Sequence, residues 1–337
     1  MTDSELLAAF EDCSLPIDQW THRALIRVAW LYLNRFDFAD ALNRMRTSLR
    51  KYNHAVGTSD SPDLGYHETI TQAYMLLVAA ADTDSGPYTR AAGLCDDHPE
   101  LLTARILTPH YSAGHLRSPI AKVEFVSPDK AALPKTVVPT MKRRLQSFLE
   151  STDVIDWDSA NIRQQADQRR HSAADRTDLI KRTFEWVRDH VEHSLDYGRS
   201  TVTCRASEVL THSTGFCYAK SHLLAALLRA NEVPTGFCYQ RLSVSDSGPP
   251  YCLHGLNAVW LEDFGWYRID ARGNKPGVAA EFQPPAEMLA FEATEEQESD
   301  CCRVFAAPLK IVTDALTRAT DVEGLAVSLP DLQRIAP

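Results

Sequence analysis

The run Gly215-Phe216-Cys217-Tyr218-Ala219-Lys220-Ser221-His222 puts a cysteine two residues after a glycine, at the head of an apolar stretch that continues from Tyr218 to Ala230. Glycine permits a tight turn, and the pattern of the stretch predicts a helix whose first turn carries the cysteine. Unsatisfied N–H groups and the positive end of the helix dipole favour a thiolate there, and the same N–H groups can stabilise an oxyanion. Further along, His254 sits at the start of a strand-like run, Leu253-His254-Gly255-Leu256-Asn257-Ala258-Val259-Trp260. The turn Asp263-Phe264-Gly265 leads into Trp266-Tyr267-Arg268-Ile269-Asp270. Two antiparallel strands joined in this way can set a histidine beside an acid. The chemistry of such a set is nucleophilic. Cys217 attacks a carbonyl, His254 takes the thiol proton and later protonates the leaving amine, and Asp270 fixes the tautomer and stabilises the imidazolium.

These residues need elements to position them. Strand-like runs cover 236–244, 253–261 and 266–270, and short helical patterns occupy Ala206 to Leu210, 141–150 and 158–170. Leu179, Ile180, Phe184 and Val187 are in phase for a helix from about Arg176 to His193, which would put His190 and His193 on its last turn. The first third has a different texture, with helical stretches around Leu6, Leu7 and Phe10, from Trp20 to Leu33, from Asp40 to Tyr52 and from His67 to Ala81. Pro128, Pro134 and Pro139 punctuate Ser127 to Thr140. The expected organisation is a helical domain over 1–126, a linker over 127–140 and a catalytic domain over 141–337.

The blocks Arg205-Ala206-Ser207-Glu208-Val209-Leu210, Gly215-Phe216-Cys217, His254 to Trp260 and Gly265 to Asp270 together resemble the core of the transglutaminase-like superfamily. Cys217 to His222 and Asp270-Ala271-Arg272-Gly273-Asn274-Lys275 are similar to a bacterial branch of it whose function is undefined. The resemblance spans about 140–310. It implies an α+β fold, a papain-like core in which a catalytic helix packs on an antiparallel sheet, behind a separate all-α N-terminal domain. It also implies Cys217 as nucleophile, His254 as base and Asp270 as orienting acid, without a cofactor. The side chain that completes the oxyanion hole has no clear counterpart; Tyr197 is the candidate. Leu15 to His22 and Gly65 to Thr71 resemble a small helical bacterial family over about 1–130. Its motifs bring forward His22, His67 and Glu68 as a candidate ligand site, and no H-E-x-x-H spacing or third clear ligand makes it a metal site.

Composition trims the alternatives. Thirty-five basic against 45 acidic residues give a net charge of −10, with no extended Lys/Arg block, which argues against nucleic-acid binding. No apolar run reaches the length of a membrane span, and the acidic start, Met1-Thr2-Asp3-Ser4-Glu5, reads as cytoplasmic rather than exported. Eight cysteines lack C-x-x-C spacing; Cys238 and Cys252 flank one loop and could face each other, and Cys301-Cys302 are vicinal. The loop Asp246 to Pro250 precedes His254, and Arg272, Asn274 and Lys275 follow the acid, so all are candidates for the cleft rim. The expected function is a cysteine protease or amidase working through a Cys217 thioester on a protein, peptide or small amide. Acyl transfer to an amine uses the same three residues. The alternative is a partner-binding protein in which the fold is a scaffold and the helical domain recognises the partner.

Overall fold

Local capping and helical spacing build the first part of the computed structural model. It describes the chain except for residues 62–63, 86, 135–143, 246–247, 334 and 336–337, with only backbone at 84–85. Helix α1 (Asp3–Glu11) opens with a capping box: Thr2 Oγ1 accepts from Glu5 N–H at 3.2 Å and Glu5 Oε2 from Thr2 N–H at 2.8 Å. Helices α2 (His22–Arg35), α3 (Phe38–Ala55) and α4 (Glu68–Ser85) follow. On α3, Leu42, Met45 and Leu49 form the buried stripe. Trp20 lies ahead of α2 and stacks on Phe10 at 4.4 Å. Shorter helices α5 (Ala91–Asp97), α6 (Ala113–Leu116) and α7 (Pro119–Val123) complete this part. Asp82, buried at its centre, accepts from Trp30 Nε1 at 2.8 Å and is paired with Arg144.

The chain divides into two units, Met1–Arg144 and Leu145–Pro337. The described portion of the 127–140 segment is tied into the first unit: Lys130 N–H donates to His110 O at 3.1 Å, and Asp129 accepts from Ser112 N–H at 2.8 Å. Residues 135–140 of that segment lie outside the described residues.

The second unit mixes helix and sheet. The 141–150 pattern yields a short 3-10 turn at Gln146–Leu149, its first three residues lying outside the described set. Helices α8 (Ala160–Ser172) and α9 (Arg176–His190) come next. The helix expected to run to His193 stops at His190, because Glu192 and His193 form strand β1 (Glu192–His193), which pairs in parallel with β2 (Thr214–Gly215). Between these strands lies α10 (Ala206–His212). Helix α11 (Cys217–Ala230) is buried from Cys217 to Arg229, its apolar residues taking Lys220, Ser221, His222 and Arg229 into the interior with them.

Strands β3 (Thr235–Ser243), β4 (Tyr251–Leu261), β5 (Gly265–Ile269) and β8 (Ser299–Asp300) form a curled antiparallel sheet in the order β5-β4-β3-β8, with α11 packed on it. Gly265, at φ +78°, makes the β4–β5 turn. A small hairpin, β6 (Glu281–Gln283) with β7 (Ala286–Met288), precedes β8 and helices α12 (Lys310–Arg318) and α13 (Val322–Ala326). Buried Arg268 on β5 ion-pairs with Glu287 of β7 at 2.6 Å and Asp300 of β8 at 2.5 Å, joining three strands through one guanidinium.

Candidate active site

Strand register decides which side chains meet. Asn257 of β4 stands opposite Ile269 of β5, so continuing the antiparallel register sets Asp270 across from Leu256. His254 lies two residues from Leu256 on the same face, which makes His254 and Asp270 diagonal neighbours. Their side chains close that gap, with His254 Nε2 at 2.7 Å from Asp270 Oδ2. Asp270 is fully buried and also accepts from the N–H groups of Arg272 (3.1 Å) and Ala290 (3.2 Å). Two backbone N–H groups and one imidazole thus anchor the acid before any substrate arrives.

Cys217 heads α11, 4 % exposed, beside His254 at 5 %. A close approach between helix and strand brings them together. A Cβ on Gly255 would lie 2.8 Å from Tyr218 Cδ1, so only glycine lets the head of α11 seat against β4 beside the histidine. Tyr218 OH then donates to Leu253 O, and Ser221 Oγ donates to Gly255 O at 3.2 Å. Asn257 Nδ2 donates to Ser221 O at 3.1 Å, stitching the next turn of the helix to the same strand.

The electrostatics follow. Burial opposes protonation of His254, but the Asp270 charge and hydrogen bond, joined by the hydrogen bond and charge of the Cys217 thiol, outweigh it and push the imidazole up to about 10. Burial likewise works to raise Asp270, and the His254 charge, its hydrogen bond and the two backbone N–H groups hold the carboxyl below its usual range. An imidazolium flanked by a carboxylate on Nε2 leaves Nδ1 as the nitrogen that can exchange a proton with sulfur or with a departing group.

Lys220, one turn into α11, is buried with its ammonium directed at the end of α9: Nζ donates to Arg188 O at 3.2 Å and to Val191 O. A cation at a helix C-terminus is electrostatically matched. Burial pushes this lysine down to about 7, against the pull of the Asp270 charge.

Tyr197, the sequence candidate for the oxyanion, follows β1 in a turn and is 63 % exposed. The buried polar ring at this place is His193, opposite Gly215 in the β1–β2 ladder and 4.8 Å from the Phe216 ring. Burial and the Arg272 charge push His193 down to about 3, so the ring is neutral at ordinary pH. Residue type and distance from Cys217 directed attention to the tyrosine; the parallel pairing that turns His193 inward has no local signal in the sequence.

The remaining candidates have other partners. Arg272 and Lys275 pair with Asp196 at 2.6 and 2.8 Å, and Asn274 braces its own loop by accepting from Ala280 N–H at 2.8 Å. Cys238 stands opposite Leu256, and Cys252 opposite Leu242, so the two cysteines do not face each other. Of the 246–250 loop, residues 246–247 lie outside the described set. In the first unit, His22 Nε2 bonds Leu101 O at 3.0 Å and His67 Nε2 bonds Leu116 O at 3.0 Å. Glu68 is held by Arg46 and by Tyr66 OH at 2.8 Å. His22, His67 and Glu68 are therefore engaged in separate structural contacts, and no group of three or more metal-ligating side chains occurs among the described residues.

Residues 163–271, which contain Cys217, His254 and Asp270, match the profile of the Transglutaminase-like superfamily. Among solved structures the chain is similar to a "putative cysteine protease" from Cytophaga hutchinsonii, at 19 % identity over 38 % of this chain and 42 % of that one, TM-score 0.32. It is also similar to the ethylmercury-bound periplasmic domain of TgpA from Pseudomonas aeruginosa, at 18 % identity over 38 % of this chain and 48 % of that one, TM-score 0.30. The matches thus span less than half of either solved structure. No curated protein matches the chain.

Proposed function

We propose that this transglutaminase-like chain is a cysteine hydrolase that cleaves an amide through a thioester on Cys217. The observation that carries the reading is the buried His254–Asp270 pair, 2.7 Å apart, beside a cysteine in the first turn of α11. With the imidazole raised to about 10, His254 is protonated at neutral pH, and the reaction proceeds from Cys217 as thiolate beside this imidazolium. The thiolate attacks the carbonyl carbon, forming a C–S bond and an oxyanion that the free N–H groups at the helix start stabilise. Collapse breaks the C–N bond, and His254 gives its proton to the leaving amine. Water then attacks the thioester while His254 takes one of its protons. The C–S bond breaks, releasing the acid and returning the thiolate–imidazolium pair. An amine in place of water makes the same site an acyltransferase. Hydrolysis is preferred because water requires no second binding site.

The test is intact-protein mass spectrometry after exposure to cell extract or an activated ester. An acyl adduct on Cys217 that accumulates and then decays in water supports hydrolysis, with His254→Ala abolishing its formation. Adducts distributed over all eight cysteines alike would overturn the reading.

A further inference from the structure

The sheet edge beside His254 is occupied by the chain itself. Arg241 of β3 stands opposite Leu253, whereas β5 pairs with β4 only from Asn257 onward, so residues 251–256 have an edge that β5 does not cover. There the Leu253 N–H donates to Pro330 O at 2.8 Å, and Leu253 O accepts from Tyr218 OH, the neighbour of Cys217. One residue of β4 is therefore gripped by the head of the nucleophile's helix and by the segment after α13. Asp331 clamps that segment: buried Arg241 donates to it from Nε at 2.6 Å and Nη2 at 2.8 Å. Leu329 and Leu332 pack against the apolar cluster that includes Cys217, Tyr218 and Leu253. Cys252, next to Leu253, is pushed up to about 12 by burial, reinforced by the charges of Cys217 and Asp331. Cys217 and His254 are themselves only 4 % and 5 % exposed.

We propose that the outer edge of β4 at Leu253 receives the backbone of an extended peptide substrate, and that Ser328–Leu332 occupies this edge as a tethered peptide that holds the site closed. The proposal rests on the hydrolase reading and gives it a substrate class. Peptides bind an uncovered strand edge through main-chain hydrogen bonds, and Leu253 N–H is the donor that the segment now engages. A tethered occupant competes at high effective concentration, and the apparent affinity for substrate falls with the fraction of molecules closed. Release exposes the donor and opens a path to Cys217.

The test is the rate at which iodoacetamide alkylates Cys217, the thiolate displacing iodide, in three proteins: the full chain, Asp331→Ala and a deletion of residues 328–337. Asp331 is 35 % exposed at its side chain and Arg241 keeps its bond to Gln297 O at 2.5 Å, so the replacement loosens the clamp while the guanidinium retains a partner. The expected rise is about fivefold in Asp331→Ala and larger in the deletion. A synthetic peptide spanning Val327 to Leu332 slows the deletion variant again. Equal rates in the full chain and Asp331→Ala would overturn the proposal even if the deletion fails to fold, while leaving the hydrolase reading intact. A Cys217 no more reactive than a simple thiol in every protein, unaffected by His254→Ala, would overturn both.

Discussion

His254 is the residue on which the proposed chemistry turns, because its proton makes the thiolate and later serves the leaving group. Its pKa near 10 sets a specific pH dependence. Acylation of Cys217 is expected to fall as pH rises through about 10, where the imidazolium is lost and no acid remains for the amine. A pH–rate profile of the acylation step checks this, and a fall near the ordinary histidine value of about 6.5 contradicts it. Asp270→Asn keeps the shape of the acid but removes the charge that lifts the histidine. The expected result is a loss of about 10³–10⁴ in kcat with KM little changed, by analogy with the effect of the same change on a protease triad. A rise in KM with kcat unchanged would instead mark Asp270 as a substrate contact.

At the scale of elements, the seating of α11 on β4 is the arrangement on which the site depends. Gly255→Ala places a methyl 2.8 Å from Tyr218 Cδ1, which forces the helix head away from the strand. The expected cost is about 1–3 kcal/mol in a denaturant melt, with slower Cys217 alkylation. An unchanged melt and rate would show that the close approach is dispensable. Much of this element-level organisation is legible in the sequence, since α11 and β3–β5 have strong local patterns and Cys217, His254 and Asp270 announce themselves by type and order. What escapes is non-local. β1 forms because Glu192 and His193 pair with Thr214 and Gly215, some twenty residues away, and that pairing overrides the helical phase that runs through His190. The same pairing buries His193 and leaves Tyr197 exposed, reversing the order that spacing suggests. The bond from Leu253 to Pro330 links positions 77 residues apart in a stretch with no hydrophobic period, and only the uncovered edge of β4 explains it. His22 and His67 look like ligands in isolation, and the backbone carbonyls that engage them belong to distant turns.

For the whole molecule, two buried groups pull stability in opposite directions with pH. The folded state raises His254 from about 6.5 to about 10, so its contribution is complete below the unfolded value and is lost as pH rises through about 10. It lowers Lys220 from 10.5 to about 7, so the folded chain holds that proton less tightly than the unfolded one, and stability rises with pH between about 7 and 10.5. In the shared window the two slopes oppose each other. Urea melts between pH 7 and 9.5 are therefore expected to show His254→Ala gaining stability relative to its own pH 7 value, and Lys220→Met losing it. Lys220→Met also leaves the carbonyls of Arg188 and Val191 without their buried donor, at a cost of about 1–3 kcal/mol at pH 7. Both variants tracking the wild-type slope would show that neither group is linked to folding in this way.

The eight cysteines supply the most direct measurement, because one protein contains both the proposed thiolate and seven internal comparisons. Cys95, Cys238, Cys252 and Cys301 are held above the ordinary thiol range by burial. Site-resolved alkylation at neutral pH, read peptide by peptide, compares them in a single tube. A thiolate–imidazolium pair predicts that Cys217 is modified first despite being 4 % exposed, and that His254→Ala brings its rate down to that of the other buried cysteines. Slow, uniform modification of all eight, unchanged in His254→Ala, would contradict it.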